Sequence, residues 1–92
     1  MNRVENKVCI VTGGSRGIGR AACLLLAKEG AKVAITDMID NEGKEVEAAI
    51  RAAGGAAQYW HLDVSKESEV DQVFAEVAKT FGRIDVLVNN AG

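Results

Sequence analysis

The sequence has 92 residues, of which 48% are hydrophobic and 26% are charged, and its formal net charge is −2. This length excludes more than one domain. The 11 basic residues are scattered among 13 acidic ones, so no basic patch indicates a nucleic-acid or anionic-membrane partner. The N-terminus is polar, and the apolar run at residues 8–11 is too short for a signal peptide or a membrane span. We therefore expect a cytoplasmic protein.

Short apolar runs that are bounded by glycine or polar residues predict four strands. They cover residues 7–12, 32–37, 58–62 and 84–89. The first and the fourth are apolar enough to be buried on both faces of a parallel sheet, whereas the third is of mixed polarity.

Between these strands, apolar residues recur with the period of an amphipathic helix. The three sets are Ile18, Ala22, Leu25 and Leu26; Val46, Ala49, Ile50 and Ala53; and Val70, Val73, Phe74, Val77 and Phe81. Gly30, Gly54 and Gly82 would end the three helices. Ser65 is the predicted N-cap of the third helix.

The order β-α-β-α-β-α-β predicts an α/β fold with a doubly wound parallel sheet, right-handed crossovers and helices on both faces. In such a sheet the fourth strand is normally covered by further strands, because a bare apolar edge is a liability. We therefore expect the chain to be the first part of a longer domain. Cys9 and Cys23 lie inside predicted elements and are expected to be reduced core thiols, and no cluster of cysteine and histidine points to a metal.

A glycine-rich turn, T-G-G-S-R-G-I-G at residues 12–19, joins the first strand to the first helix. Gly13 permits a tight turn, Gly17 lets the backbone approach a pyrophosphate, and Gly19 lets the helix pack closely on the sheet. The N–H groups at the start of the helix would face the phosphates. A plain structural loop is the alternative, but the position of this turn between a strand and a helix favours nucleotide binding.

Asp37 ends the second strand, 18 residues after Gly19. A carboxylate at this position can accept hydrogen bonds from the ribose hydroxyls of an adenosine. A solvated aspartate at a strand end is the alternative, and the glycine-rich turn favours the ribose role.

Three motifs, taken in order, resemble the short-chain dehydrogenase/reductase family. They are T-G-x-x-x-G-x-G at residues 12–19, Asp63-Val64 after the third strand, and N-N-A-G at residues 89–92. The resemblance covers the whole chain. It implies a Rossmann-type fold in which residues 1–92 are the N-terminal NAD(P)-binding part of a single domain, with the catalytic part absent from this chain.

The resemblance also implies roles for individual residues. The turn would wrap the pyrophosphate and the adenosine ribose, Asp63 and Val64 would meet the adenine, and Asn90 would lie beside a cofactor ribose while Asn89 holds the central strands together. Asp63 could instead simply precede a helix cap, and Asn89-Asn90 could be a strand-terminating turn. The predicted cofactor-binding residues are Gly13, Gly14, Ser15, Arg16, Gly17, Ile18, Gly19, Asp37, Asp63, Val64 and Asn90.

Two residues bear on the choice of cofactor in opposite ways. Asp37 would accept a bond from a 2′-hydroxyl but repel a 2′-phosphate, which favours NAD. Arg16 could reach a 2′-phosphate, and in the family that the chain resembles a basic residue at this position often accompanies NADP. Because Met38 follows Asp37 and a flexible arginine can swing away, we expect NAD, with NADP as the alternative.

In the family that the chain resembles, a serine, a tyrosine and a lysine carry the catalysis, and all of them would lie beyond the fourth strand. Tyr59 has no lysine four positions further on, and His61 has no nearby nucleophile, so both are expected to be structural. We therefore expect no catalytic residue in this chain.

The function expected from the resemblance is hydride transfer between NAD(H) and a small-molecule secondary alcohol or ketone. The parent protein is expected to be a homo-oligomer, a dimer or tetramer. The alternatives are an NADPH-dependent 3-oxoacyl-thioester reductase, a non-catalytic nucleotide-binding remnant, and a methyltransferase-like domain. Residues 89–92 argue against the last of these.

Overall fold

A computed structural model describes residues 4–90, in which the seven elements follow the predicted order. The strands β1 to β4 span Val8–Thr12, Lys32–Asp37, Ala56–His61 and Val86–Asn89. The helices α1 to α3 span Gly17–Lys28, Asp40–Ala52 and Glu67–Phe81. All strand pairs are parallel, in the order β3-β2-β1-β4, which confirms the predicted doubly wound sheet.

Helices cover both faces of this sheet, as the alternation of side chains along β1 shows. Cys9 and Val11 pack in one apolar cluster with residues of α1 and α2. Val8 and Ile10 pack in a second cluster with residues of α3. Because successive side chains of a strand point to opposite faces, β1 is buried along its whole length and forms the centre of the molecule. Among residues 4–90, no helix combines the length and the apolar character that crossing a bilayer requires.

The predicted apolar faces of the first two helices are wrong in part. Ile18 and Leu25 are 80% and 59% exposed, and the buried residues of α1 are Gly19 and Cys23. In the second set, Val46 and Ile50 are buried whereas Ala49 and Ala53 are exposed. A prediction from hydrophobic periodicity favours large apolar side chains as the buried ones. In α1, however, small residues allow the helix to approach the sheet closely, and they determine which face is buried.

The fourth strand is not the fully buried strand that its composition predicts. It begins at Val86, because the main chain and carboxylate of Asp85 both bond to Val8 at the start of β1. Its residues alternate between half-buried and exposed, and Leu87 is 49% exposed. Within the part of the chain that the structure describes, β4 pairs with β1 alone and is an edge strand.

Ser65 does not cap α3, which corrects another sequence-based prediction. The N-cap is Lys66, without a side-chain hydrogen bond. The N–H and the hydroxyl of Ser65 both donate to Oδ1 of Asp63, at 3.0 and 2.7 Å. An aspartate readily accepts bonds from the residue two positions ahead, and here that local turn takes the place of the expected cap.

Both cysteines are buried free thiols, as predicted. Burial raises the pKa of Cys23 to about 12. Its Sγ lies 3.8 Å from the main-chain oxygen of Gly14, to which it donates, so the thiol supports the turn that follows β1. These thiols are therefore packing groups.

Gly43 provides a test of how closely α2 packs against β3. A Cβ at this position would lie 2.1 Å from Cε1 of Tyr59, whose hydroxyl lies 2.7 Å from the main-chain oxygen of Asp37. Gly43→Ala should lower the free energy of unfolding by about 1–3 kcal/mol, because the anchored ring has to move. In an uncrowded helix the same change would instead raise the free energy of unfolding by about 1 kcal/mol, so the direction of the change distinguishes a crowded position from an uncrowded one. Denaturant-induced unfolding followed by circular dichroism measures it.

Lys44→Ala, at the exposed neighbouring position of α2, is the matched control and should change the stability by about 0.5 kcal/mol or less. A Gly43→Ala variant that is as stable as the wild type would contradict the close packing of Tyr59 on this helix.

Candidate functional site

The candidate site lies at the edge of the sheet where β1, β2 and β3 end. A cavity of about 190 Å³ at this edge is lined by Gly13, Asp37, Met38, Leu62, Asp63, Val64 and Ser65. The strand order reverses between β1 and β4, next to this cavity, and ligands of open α/β sheets bind near such a switch point, outside the carboxyl ends of the strands. Three segments singled out in the sequence, the glycine-rich turn, Asp37 and Asp63-Val64, therefore meet around one cavity.

The glycines of the turn meet different physical requirements. Gly13 and Gly17 have φ values of 65° and 53°, which favour glycine. A Cβ at Gly17 would meet nothing within 4 Å, so the turn is open there. A Cβ at Gly19 would lie 2.0 Å from the carbonyl oxygen of Gly13, so α1 reaches the sheet only because this residue has no side chain. Gly14 is buried, and its N–H donates to the main-chain oxygen of Thr36 at 3.0 Å.

The N-terminus of α1 differs from those of the other two helices. Its first turn has no acidic residue, and its N-cap, Arg16, makes no side-chain capping bond, like the N-caps of the other two helices. The first turns of α2 and α3 carry two acidic residues each. Because the first N–H groups of a helix have no partner within it and lie at the positive end of its dipole, this end of α1 can bind an anion. Ile18 lies in the same turn and is exposed.

Asp37 is held against the glycine-rich turn. Its Oδ2 accepts the N–H of Ser15 at 3.1 Å and the Ser15 hydroxyl at 2.5 Å, and its Oδ1 accepts the N–H of Met38 at 2.7 Å. Burial raises the pKa of Asp37, but these hydrogen bonds outweigh burial and leave the pKa below its ordinary value. Asp37 is therefore a carboxylate at neutral pH.

Arg16 has a partner that the sequence analysis did not single out. Its Nε donates to Oε2 of Glu42, and its Nη2 donates to Oε1 of the same carboxylate at 3.2 Å. Arg16 precedes α1 and Glu42 lies in the first turn of α2, and both side chains are partly or largely exposed. No local spacing in the sequence relates these two residues, because they meet only when both helices start at the same edge of the sheet.

Asp63 and Val64 enter the site from the end of β3. The pKa of Asp63 is lowered by the hydrogen bonds from Ser65, so Asp63 is ionised. The Asp63 N–H donates to Oε1 of Glu69 at 3.2 Å. The Val64 side chain is exposed beside the cavity. This corner of the site offers an apolar surface next to a carboxylate.

Asn89 and Asn90 connect the end of β4 to the glycine-rich turn. The Thr12 hydroxyl donates to Oδ1 of Asn89 at 3.1 Å and accepts the N–H of Asn90 at 3.0 Å. Nδ2 of Asn90 donates to the Gly13 carbonyl at 3.3 Å. The other two residues of the N-N-A-G motif, Ala91 and Gly92, lie outside the described residues.

Tyr59 and His61 belong to a polar cluster centred on Asp40. Oδ1 of Asp40 lies 2.6 Å from the Tyr59 hydroxyl and 2.7 Å from Nδ1 of His61. The same Tyr59 hydroxyl contacts the main-chain oxygen of Asp37, so the cluster supports the end of β2.

A doubly wound parallel sheet with a glycine-rich turn between its first strand and first helix defines a Rossmann-type fold. Residues 7–92 match the short chain dehydrogenase family, and the chain belongs to this family. It is 47% identical over 96 residues to a cyclopentanol dehydrogenase of Comamonas sp., covering all of this chain and 37% of that protein. It is 42% identical over 92 residues to a 3beta-hydroxysteroid dehydrogenase of Mediterraneibacter gnavus, covering all of this chain and 33% of that protein.

Solved structures are also similar over nearly the whole chain, and two of them serve as examples. A hydroxysteroid dehydrogenase from Escherichia coli has a TM-score of 0.94 and 32% identity, with 98% of this chain and 38% of that one covered. An NAD+-bound xylitol dehydrogenase has a TM-score of 0.93 and 40% identity, with 98% of this chain and 35% of that one covered. The chain thus spans about a third of the length of these relatives.

Gly19→Ala tests the close approach of α1 to the turn. The added methyl group collides with the Gly13 carbonyl, a main-chain atom, so we expect a loss of about 1–3 kcal/mol in the free energy of unfolding. Arg20→Ala, at an exposed position one residue further along α1, should stay within about 0.5 kcal/mol of the wild type. Chemical denaturation compares the variants, and equal stability of Gly19→Ala and Arg20→Ala would refute the proposed contact.

The Asp40 cluster predicts a pH-dependent contribution to stability. The hydrogen bond to Asp40 raises the pKa of His61 above its ordinary value of about 6.5. The stabilisation is therefore present below the pKa of the unfolded state and is lost as the pH rises through the folded-state pKa. An NMR titration of the His61 ring should show the raised pKa, and Asp40→Asn should lower it. An unchanged pKa in Asp40→Asn, equal to that in the control Asp71→Asn, would be inconsistent with this pair.

Proposed function

We propose that the chain binds NAD(H) at the carboxyl edge of the sheet, as the cofactor-binding part of an oxidoreductase that transfers a hydride between nicotinamide and a secondary alcohol or ketone. The observation that carries the proposal is the convergence of Gly13, Asp37, Asp63 and Val64 on one cavity of about 190 Å³. Membership of the short chain dehydrogenase family supports it.

The glycine-rich turn and the start of α1 would hold the pyrophosphate. The open space beside Gly17 is where a Cβ would obstruct a phosphate, and the uncapped N–H groups of α1 attract negative charge. Gly14 and Ser15 would form the floor of this cradle, while Ile18, exposed in the first helical turn, would cover the cofactor from above. Gly19 would act indirectly, by letting α1 approach the turn.

Asp37 would select the adenosine ribose. It is ionised and lies at the edge of the cavity, where it can accept a bond from a 2′-hydroxyl and would repel a 2′-phosphate. The pairing of Arg16 with Glu42 also favours NAD, because it occupies the guanidinium that could otherwise bind the phosphate. The NAD+-bound state of the similar xylitol dehydrogenase agrees with this choice.

Asp63 and Val64 would contact the adenine, since they line the same cavity as Asp37. Asn90 would lie near a cofactor ribose, where its bond to Gly13 keeps it beside the turn. Bound nicotinamide would supply the hydride chemistry, and the residues described above would bind and orient it. We assign no catalytic residue to this chain.

For the parent protein we propose a cytoplasmic homo-oligomer, a dimer or tetramer, that acts on a small-molecule alcohol or ketone. Relatives named as cyclopentanol and hydroxysteroid dehydrogenases support this substrate class. An NADPH-dependent 3-oxoacyl-thioester reductase is the second candidate. A basic residue at position 16 favours it, whereas the Asp37 carboxylate and the pairing of Arg16 with Glu42 oppose it.

Titration of the chain with NADH and NADPH, followed by cofactor fluorescence and by the melting temperature, tests the proposal. We expect saturable NADH binding that raises the melting temperature, with an affinity for NADPH about tenfold or more lower, equivalent to about 1.4 kcal/mol. Asp37→Asn should remove most of this preference, whereas Asp71→Asn on the exposed side of α3 should keep it. Tighter binding of NADPH would favour the reductase, and a folded chain that binds neither cofactor would refute the proposal.

A further inference from the structure

We infer that Glu42 is a positioning residue for cofactor preference, because it holds the Arg16 guanidinium on α2 and away from the 2′-position of the adenosine ribose. The inference rests on the proposed NAD(H) site. It adds to that site a residue that makes no contact with the cofactor itself and acts through Arg16.

The geometry of the pair is that of a two-pronged ion pair. Two nitrogens of Arg16 donate to the two oxygens of Glu42, so the planar guanidinium lies against the carboxylate. A phosphate would use the same fork of donors. Glu42 therefore occupies the group that a 2′-phosphate needs.

The charges around Asp37 explain why this matters for the cofactor. Arg16 and Glu42 are both close enough to Asp37 for their pKa values to respond to its charge. Arg20, one turn further along α1, also lowers the pKa of Glu42. The Glu42 carboxylate is therefore attracted by both arginines at the start of the helix. Because Glu42 pairs with Arg16, the Arg16 cation does not offset the negative charge of the Asp37 carboxylate. A dianionic 2′-phosphate is then repelled.

The ion pair between Arg16 and Glu42 is also weak enough for a 2′-phosphate to compete with Glu42 for the guanidinium. Arg16 is 66% exposed and Glu42 is 37% exposed, and ion pairs at such positions are weak. A phosphate can displace Glu42, but it then leaves that carboxylate unpaired and close to Asp37. Removal of the Glu42 charge removes this competition and frees Arg16 for the phosphate.

The test compares the dissociation constants of NADH and NADPH for the wild type and for Glu42→Gln. The variant should bind NADPH about fivefold more tightly, with NADH binding changed less than about twofold. Glu45→Gln, on the same helix and exposed, is the matched control and should keep the wild-type ratio. Circular dichroism spectra and melting curves verify that each variant is folded.

The double variant Arg16→Gln/Glu42→Gln separates release of Arg16 from a general loss of negative charge. If Glu42 acts through Arg16, the double variant should bind NADPH no better than Arg16→Gln alone. The same gain in NADPH affinity with and without Arg16 would overturn the inference, as would an unchanged ratio in Glu42→Gln.

A measurement without cofactor tests the ion pair directly. The Nε–H signal of Arg16 in the NMR spectrum should be protected from exchange in the wild type and exchange faster in Glu42→Gln. Equal exchange in both would overturn the inference whatever the binding data show. If the wild type binds NADH and Glu42→Gln keeps the wild-type ratio of the NADH and NADPH dissociation constants, the inference alone is refuted. If the chain binds neither cofactor, the proposed function is refuted as well.

Discussion

The candidate site depends on one close contact, that between the start of α1 and the carbonyl of Gly13. A Cβ at Gly19 would lie 2.0 Å from that oxygen, so the helix reaches the end of β1 only through glycine. The missing side chain also makes room for Nδ2 of Asn90, which donates to the same carbonyl. The first N–H groups of α1, which have no partner within the helix, thereby lie next to the turn. The proposed phosphate site is thus a consequence of packing.

A second constraint is the way in which charged groups at this edge are paired within the chain. Asp37 is held by Ser15, Asp63 by Ser65, and Arg16 by Glu42. The first two pairs keep carboxylates ionised at fixed positions around the cavity. The third pair neutralises the cation that would favour a phosphate. These hydrogen bonds therefore fix the positions of the charged groups at this edge, and keep the two carboxylates negative, in the absence of a ligand.

The alternating pattern predicted all seven elements, their order and the parallel sheet, because period and turn chemistry are local properties of the chain. It was wrong about the buried face of α1, where Gly19 and Cys23 replace the larger Ile18 and Leu25. It was also wrong about the cap at Ser65, where a nearer aspartate takes the hydroxyl, and about the full burial of β4, although a bare edge at this strand was expected. The first error arises from the close packing of α1 on the sheet, the second from a competing local turn, and the third because β4 has a neighbour on one side alone among the described residues.

By itself, the sequence determined the fold class, the family and the segments that form the site, since glycine spacing and strand-end carboxylates are written in short stretches of chain. Only the tertiary structure decided which groups share a hydrogen bond. Asp37 meets Ser15, and Arg16 meets Glu42, because parallel strands end at one edge and helices start there. Neither contact can be read from spacing, because the intervening residues are folded into whole strands and helices whose packing sets the final distance.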